Sequence, residues 1–280
     1  MNPLPPRAVL LGTNEIASAV AVYLSRAGWA VVMSHDPEPP VIRRGMAFHD
    51  VLWGDPATVE GVAAAPAETL FDVWAALKQP SAIVVTRLGL ADLVAVGGID
   101  MLADARMQKR LPTPDFRNLA RLTVGLGPGF AVDRNCDVAV ETHPARNGSL
   151  VLVGATEEAD GITRSLGGLG AERFVYSEAG GRFHTPLGLG ARVYRGLPLG
   201  QLGIETVHAP IDGILRGIVR DGTEVPAGVK LIEIDPRGRV AEWRGIDERA
   251  HRIAAAVLKA AGLRAPRRQR RENLPLEETP

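Results

Sequence analysis

Apolar and polar positions follow two different rhythms along the chain. Up to about residue 140, short apolar runs alternate with helical stripes. Arg7 to Gly12 (RAVLLG) has the length and composition of a buried strand. Asn14 to Arg26 places Ile16, Ala17, Val20, Ala21 and Leu24 at helical spacing, with Asn14 as N-cap and Gly28 as C-terminal stop. Trp29 to Met33 is a second strand, so the chain opens with a β-α-β unit. Val59 to Val62 reads as a short strand and turn and Ala67 to Leu77 as a helix, while Ala82 to Val85 and Asp100 to Leu102 read as buried strands. Leu122 to Val124 and Val138 to Val140 are further strands, joined through a run of glycines. Strands alternating with helices predict an α/β, Rossmann-like layered domain over residues 1–160.

The second rhythm is glycine-punctuated. Two segments match at an offset of 32 residues, one starting at Val175 and one at Val207. Val175 pairs with Val207, Gly181 with Gly213, Gly190 with Gly222, Val193 with Val225, Gly196 with Gly228 and Leu199 with Leu231. A repeat of this length implies one supersecondary unit used twice, burying a small β sandwich or barrel over residues 170–240. The second copy, APIDGILRGIVRDGTEVPAGVKLIEID, resembles the biotinyl/lipoyl fold, a barrel-sandwich hybrid. Carrier domains of that kind present a lysine beyond the strand corresponding to Leu231 to Ile234; here the turn is Asp235-Pro236-Arg237-Gly238, which argues against carrier function. Residues 246–262 contain a helical alanine and aliphatic pattern ending at Gly262, and residues 264–280 read as a disordered, basic-then-acidic tail.

Composition narrows the partners. Of 280 residues, 32 are basic and 32 acidic, so no nucleic-acid field and no affinity for an acidic membrane surface are expected. No apolar run is long enough for a membrane span, and MNPLPPRAVLLG does not read as a signal peptide. The single cysteine excludes an intrachain disulfide and a cysteine-built zinc site, and fits a cytoplasmic location.

Candidate chemistry gathers between Asp104 and Thr142. The loop Gly125, Gly127, Pro128, Gly129 would let a ligand approach main-chain N–H groups. Arg106 and Lys109 offer positive charge beside it, Cys136 offers a thiol, and Glu141 and His143 offer an acid and a base. Arg43 and Arg44 are adjacent, as a phosphate clamp would require. The first βα loop, Gly12-Thr13-Asn14-Glu15-Ile16-Ala17, has one glycine where a dinucleotide fingerprint has three, and Glu15 sits where a pyrophosphate would lie. NAD(P) is therefore an unlikely cofactor, although Asp36 follows strand two where a ribose-binding acid would stand.

Four pieces in order, IRRGMAFHDVLWGDPATVEGV, DARMQKR, VGLGPGFAVDRNCDVAVET and GILRGIVRDGTEVPAGVKLIEIDPRG, resemble the accessory proteins of selenium-dependent molybdenum hydroxylases, the YqeB-like family. The resemblance covers Arg43, Arg44 and Phe48, then Asp104, Ala105, Arg106 and Lys109, then Gly125, Gly127, Pro128, Gly129, Phe130, Glu141 and Thr142. It implies a maturation factor for a hydroxylase of the xanthine dehydrogenase type. The partner would be the apo-hydroxylase and the ligand the molybdenum cofactor, a pterin carrying phosphate. On that reading Arg43, Arg44, Asp104, Arg106, Lys109, Gly125, Gly127, Gly129 and Thr142 hold the cofactor, and Cys136, Glu141 and His143 supply any chemistry. The other classes are a nicotinamide-dependent oxidoreductase and a non-catalytic scaffold docking the hydroxylase.

Overall fold

In a computed structural model, which describes residues 4–109 and 111–263, the first rhythm becomes an eight-stranded sheet. Its strands are β1 (Arg7–Leu11), β2 (Ala30–Ser34), β3 (Ala65–Pro66), β4 (Ile83–Thr86), β5 (Met101–Asp104), β6 (Leu122–Leu126), β7 (Val138–Val140) and β8 (Leu150–Val151). They lie in the order β8-β7-β6-β5-β1-β2-β4-β3, parallel throughout except for β8. The chain builds outward from β1 on one side, then crosses back to β5 on the other. That reversal puts the carboxyl ends of β1 and β5 at a topological switch point, the usual place for ligands in such sheets.

Both faces are covered. Helix α1 (Glu15–Arg26) packs with α4 (Glu248–Ala261) over one face, around Ile16, Val20, Leu24, Ile253 and Val257. Helices α2 (Leu70–Ala76) and α3 (Leu90–Val96) cover the other, with Val73, Leu77 and Leu93. Asn14 caps α1 as the spacing predicts, its side chain accepting from the N–H groups of Ile16 and Ala17. Helix α3, seven residues between Gly89 and Gly97, is too short to show as a periodic stripe. The C-terminal helix completes the first domain's core although the β region separates it in sequence.

The repeat forms two four-stranded antiparallel sheets that share one core. The first copy gives β9 (Phe174–Tyr176), β10 (Gly181–His184), β11 (Arg192–Val193) and β12 (Pro198–Leu202). The second gives β13 (Glu205–His208), β14 (Gly213–Ile218), β15 (Thr223–Val225) and β16 (Lys230–Asp235). The sheets are ordered β9-β16-β14-β11 and β13-β12-β10-β15. Each sheet therefore mixes strands of both copies in the same way, so neither copy can bury its apolar face alone. Equivalent turns share their geometry: Gly190 and Gly222 have φ of 83° and 77°, and Gly196 and Gly228 have 80° and 79°.

Residues 42–50 join the two parts. Ile42 O accepts from Ile218 N, and Arg44 Nε donates to Ile218 O. Arg44 also pairs with Asp50, and Arg220 of the β part bridges Asp50 and Asp55. Among the described residues, no helix is long and apolar enough to cross a membrane. The tail expected over residues 264–280 lies outside the described residues.

Candidate functional site

The glycine-rich stretch owes its composition first to packing. In β6, Leu122, Val124 and Leu126 face the α1/α4 core, while Thr123 and Gly125 face the other side. There Thr123 donates to the buried Asp137 carboxylate, and a Cβ on Gly125 would overlap the Phe130 ring. Phe130 folds back over its own strand and needs that space. Gly127 and Gly129 have φ of 94° and 89°, which L side chains adopt only with strain. The Gly127 N–H donates to Val140 O, and the Gly129 carbonyl accepts from Asn135. Hydrogen bonds to the chain itself thus take up groups that the sequence offered to a ligand.

The first βα loop is closed in the same manner. A Cβ on Gly12 would meet the Ala105 backbone at 3.1 Å, and Asn14 already accepts from the first amides of α1.

The expected arginine clamp does not form. Arg43 grips Glu233 of β16 with Nε at 2.7 Å and Nη2 at 3.1 Å, and also pairs with Glu15. These partners hold its pKa above the ordinary arginine value against burial, which acts to lower it. Arg44 points instead to Ile218 and Asp50. Both arginines bind the two parts of the protein together. Asp104 and Arg106 pair with each other, and Arg106 reaches Asp36 at 3.2 Å. Arg106 and Asp36, but not Asp104, line a separate hollow of about 400 Å³ with Gln108 and Leu111.

Of the candidates, Arg43, Lys109, Glu141, Thr142 and His143 converge on one cleft of about 620 Å³ between the α/β sheet and the β part. The glycine run contributes only Pro128 to it. Glu141 is buried and serves as a staple. One carboxylate oxygen accepts from the N–H groups of Thr142 and His143, both at 2.7 Å, and the other from Glu157 N–H at 2.8 Å. His143 sits between Glu157 at 2.9 Å and Asp160 at 3.1 Å, so it anchors the loop on this rim. The rim is acidic, and Glu158 on it has no ion pair with a described residue.

The opposite wall is basic and was not singled out in the sequence. Lys230, at the start of β16, has its Nζ 3.8 Å from the Phe174 ring centroid, and Arg173 lies 4.2 Å from the same ring. Arg249 of α4 and Arg164 also line this wall. The side chains of Lys109, Arg164, Lys230 and Arg249 make no hydrogen bond or ion pair with any described residue. Burial lowers the Lys230 pKa to about 8, with Arg43 adding to the fall and Glu233 opposing it. Burial also holds Arg249 below its ordinary value, Glu15 pulling the other way. A signal did exist: Arg216, Lys230 and Glu233 stand where the first copy of the repeat has His184, Pro198 and Gln201. Charges present in only one of two matching copies are not imposed by the repeat itself.

Cys136 is a core thiol away from this cleft. It is 1% exposed and packs in the α2/α3 core. Burial pushes its pKa up to about 12, with a backbone hydrogen bond at Gly125 opposing the rise. This placement disfavours the expected role as a nucleophile or metal contact, because a thiol needs its thiolate for either. At pH 8 such a thiol is ionised about three orders of magnitude less than a free one. Labelling of the folded protein by a disulfide reagent should therefore be slower by at least that factor, and rapid labelling would restore Cys136 as a candidate. No group of three or more His, Cys, Asp or Glu side chains suited to a metal ion occurs among the described residues.

No family model matches the chain. It is 30% identical over 262 residues to the uncharacterized protein YqeB of Escherichia coli (strain K12), covering 90% of this chain and 46% of that protein. This likeness supports a YqeB-like assignment, and the chain spans about half the length of that relative. Among solved structures, the ectoine utilization protein EutE from Ruegeria pomeroyi aligns over 83% of this chain and 86% of its own, at 14% identity and a TM-score of 0.26. An aspartoacylase family protein from Mesorhizobium loti aligns over 84% and 86%, at 10% identity and a TM-score of 0.25. Overlaps this low carry no argument about the cleft.

Proposed function

We propose that the chain is an accessory factor for a molybdenum hydroxylase of the xanthine dehydrogenase type, and that the cleft, rather than the glycine run, holds the phosphorylated pterin of the molybdenum cofactor. The observation that carries this reading is the polarity of the cleft, with an acidic rim facing a basic wall on which Lys109, Arg164, Lys230 and Arg249 have no ion pair among the described residues. A pterin has an amino-pyrimidine edge rich in N–H donors and, in the cofactor, a phosphate at the far end. Carboxylates accept from such an edge, and guanidinium and ammonium groups take the phosphate. The residues present fit the group: Glu157 and Glu158 would face the donor edge, and Lys230, Lys109 and Arg249 the phosphate. When bound, the cofactor would supply the redox chemistry of the target enzyme; this chain's own residues bind and orient it. The YqeB likeness is consistent with this reading, and the selenium dependence of the resembling family comes with it as part of the proposal.

The test is mass spectrometry with metal analysis on protein purified from a host that makes molybdenum cofactor. The expected result is a co-purifying pterin and molybdenum, both lost in Arg249→Met. Protein that carries neither, and that also fails to co-purify with a molybdenum hydroxylase, would overturn the reading. Co-purification with the hydroxylase but no pterin would favour the scaffold instead.

A further inference from the structure

The basic wall is concentrated at one end. Lys230 and Arg173 flank the Phe174 ring, which is nearly buried and so fixes the position of both cations. The Arg173 side chain is 5% exposed, and its Nε is buried without a hydrogen-bond partner. Its other two nitrogens are committed, Nη1 to Glu233 and Nη2 to the Arg164 carbonyl. A buried N–H left unpaired costs free energy unless a ligand completes it. Lys230 is in the same position, lacking any carboxylate partner. The charged groups that act on it most strongly are Arg43 before the first 3-10 turn, Glu233 on its own strand, Lys109 after β5 and Arg173 before β9. Three of the four are cations, and the carboxylate of Glu233 is already shared by Arg43 and Arg173. Tyr176, paired with Lys230 across the strands, is 40% exposed and also lines the cleft.

We propose that Lys230, Arg173 and Lys109 form a phosphate subsite that takes a phosphomonoester whose aromatic ring lies along Tyr176. This deepens the cleft reading above by naming the residues and the chemical class, and it rests on that reading only for the location of the ligand. The dianion supplies the missing counter-charge for Lys230 and the missing acceptor for Arg173 Nε. Binding is proton-linked. The anion favours charged Lys230, so affinity falls as pH rises through about 8, where the free lysine loses its proton. A phosphomonoester is already a dianion there, so its own ionisation does not produce that fall.

The test is calorimetric titration of the full chain with inorganic phosphate and with phenyl phosphate, at about pH 7.5 and about pH 9, below and above the ionisation of the free lysine. Phenyl phosphate should bind about tenfold more tightly than phosphate, and both should weaken several-fold at the higher pH. Lys230→Met should weaken both about tenfold or more and abolish the pH dependence, and Lys230→Arg should retain binding at both pH values. Lys109→Met, at an exposed position, provides a second reading should Lys230→Met perturb folding. Absence of binding by both probes, or wild-type affinity in both methionine variants, would overturn the subsite. Equal affinity for the two probes would leave a free-phosphate site and remove the aromatic portion. Probe binding by protein that carries no pterin in the purification experiment would keep this subsite while removing the cofactor reading.

Discussion

Glu233→Gln is expected to destabilise the protein by about 3–5 kcal/mol, the cost of breaking a buried ion pair from one side. Glu233 is fully buried on β16, and Arg43, Arg173 and Arg216 all converge on its carboxylate. Glutamine keeps the shape but removes the charge, leaving three guanidinium groups around a neutral amide that can accept through only one oxygen. Arg43 comes from the α/β part, so the loss also loosens the contact between the two parts. The arginines hold the Glu233 pKa at about 2, against burial that acts to raise it. A carboxylate with a depressed native pKa contributes stability that is complete above its unfolded value and lost as pH falls toward the folded one. Wild-type stability should accordingly drop between about pH 4.5 and pH 2, and the glutamine variant should lack that component. Urea unfolding at several pH values measures both. A variant within about 0.5 kcal/mol of wild type at neutral pH would show that the hub contributes nothing net.

The second large effect is expected from Gly125→Ala. The added methyl would occupy the space of the Phe130 ring, so the ring must leave its place beside the α2/α3 core. Overpacking of a tight core typically costs about 1–3 kcal/mol, and a rigid aromatic that cannot deflect puts this site at about 3 kcal/mol or more. The coupling has a signature. Truncating Phe130 to leucine should cost clearly less in the Gly125→Ala background than in wild type, because the smaller side chain relieves the overlap. Additive effects in that cycle would contradict the packing account. A loss of ligand binding without loss of stability would return the glycine to a binding role.

Much of the architecture follows from local pattern. Apolar run lengths locate β1, β2, β4, β6 and β7, helical spacing locates α1 and α4, and Asn14 marks its own cap. The offset of 32 residues fixes the β part more closely still, because repeated glycines at positive φ force repeated turns. These features depend on neighbours within a few residues, or on a spacing repeated along the chain, and both are written in sequence order. The pairing of charges is not. Adjacent Arg43 and Arg44 look like one clamp, yet successive side chains diverge, and each found a partner more than 170 residues away. Gly125 looks like a ligand loop until Phe130 is seen folding onto it. Cys136 gives no hint of its burial, which the helices on its face decide. The cleft draws on the segment after β7, on β9, β14 and β16 and on the start of α4, elements that meet only when the chain returns through the β part to cover α1. The sequence by itself therefore determined the strands, helices and internal repeat, through short-range sterics and periodic burial. Only the tertiary structure decided which charges are neutralised and which remain free to meet a ligand, because electrostatic pairing depends on distance in space and on burial rather than on order along the chain.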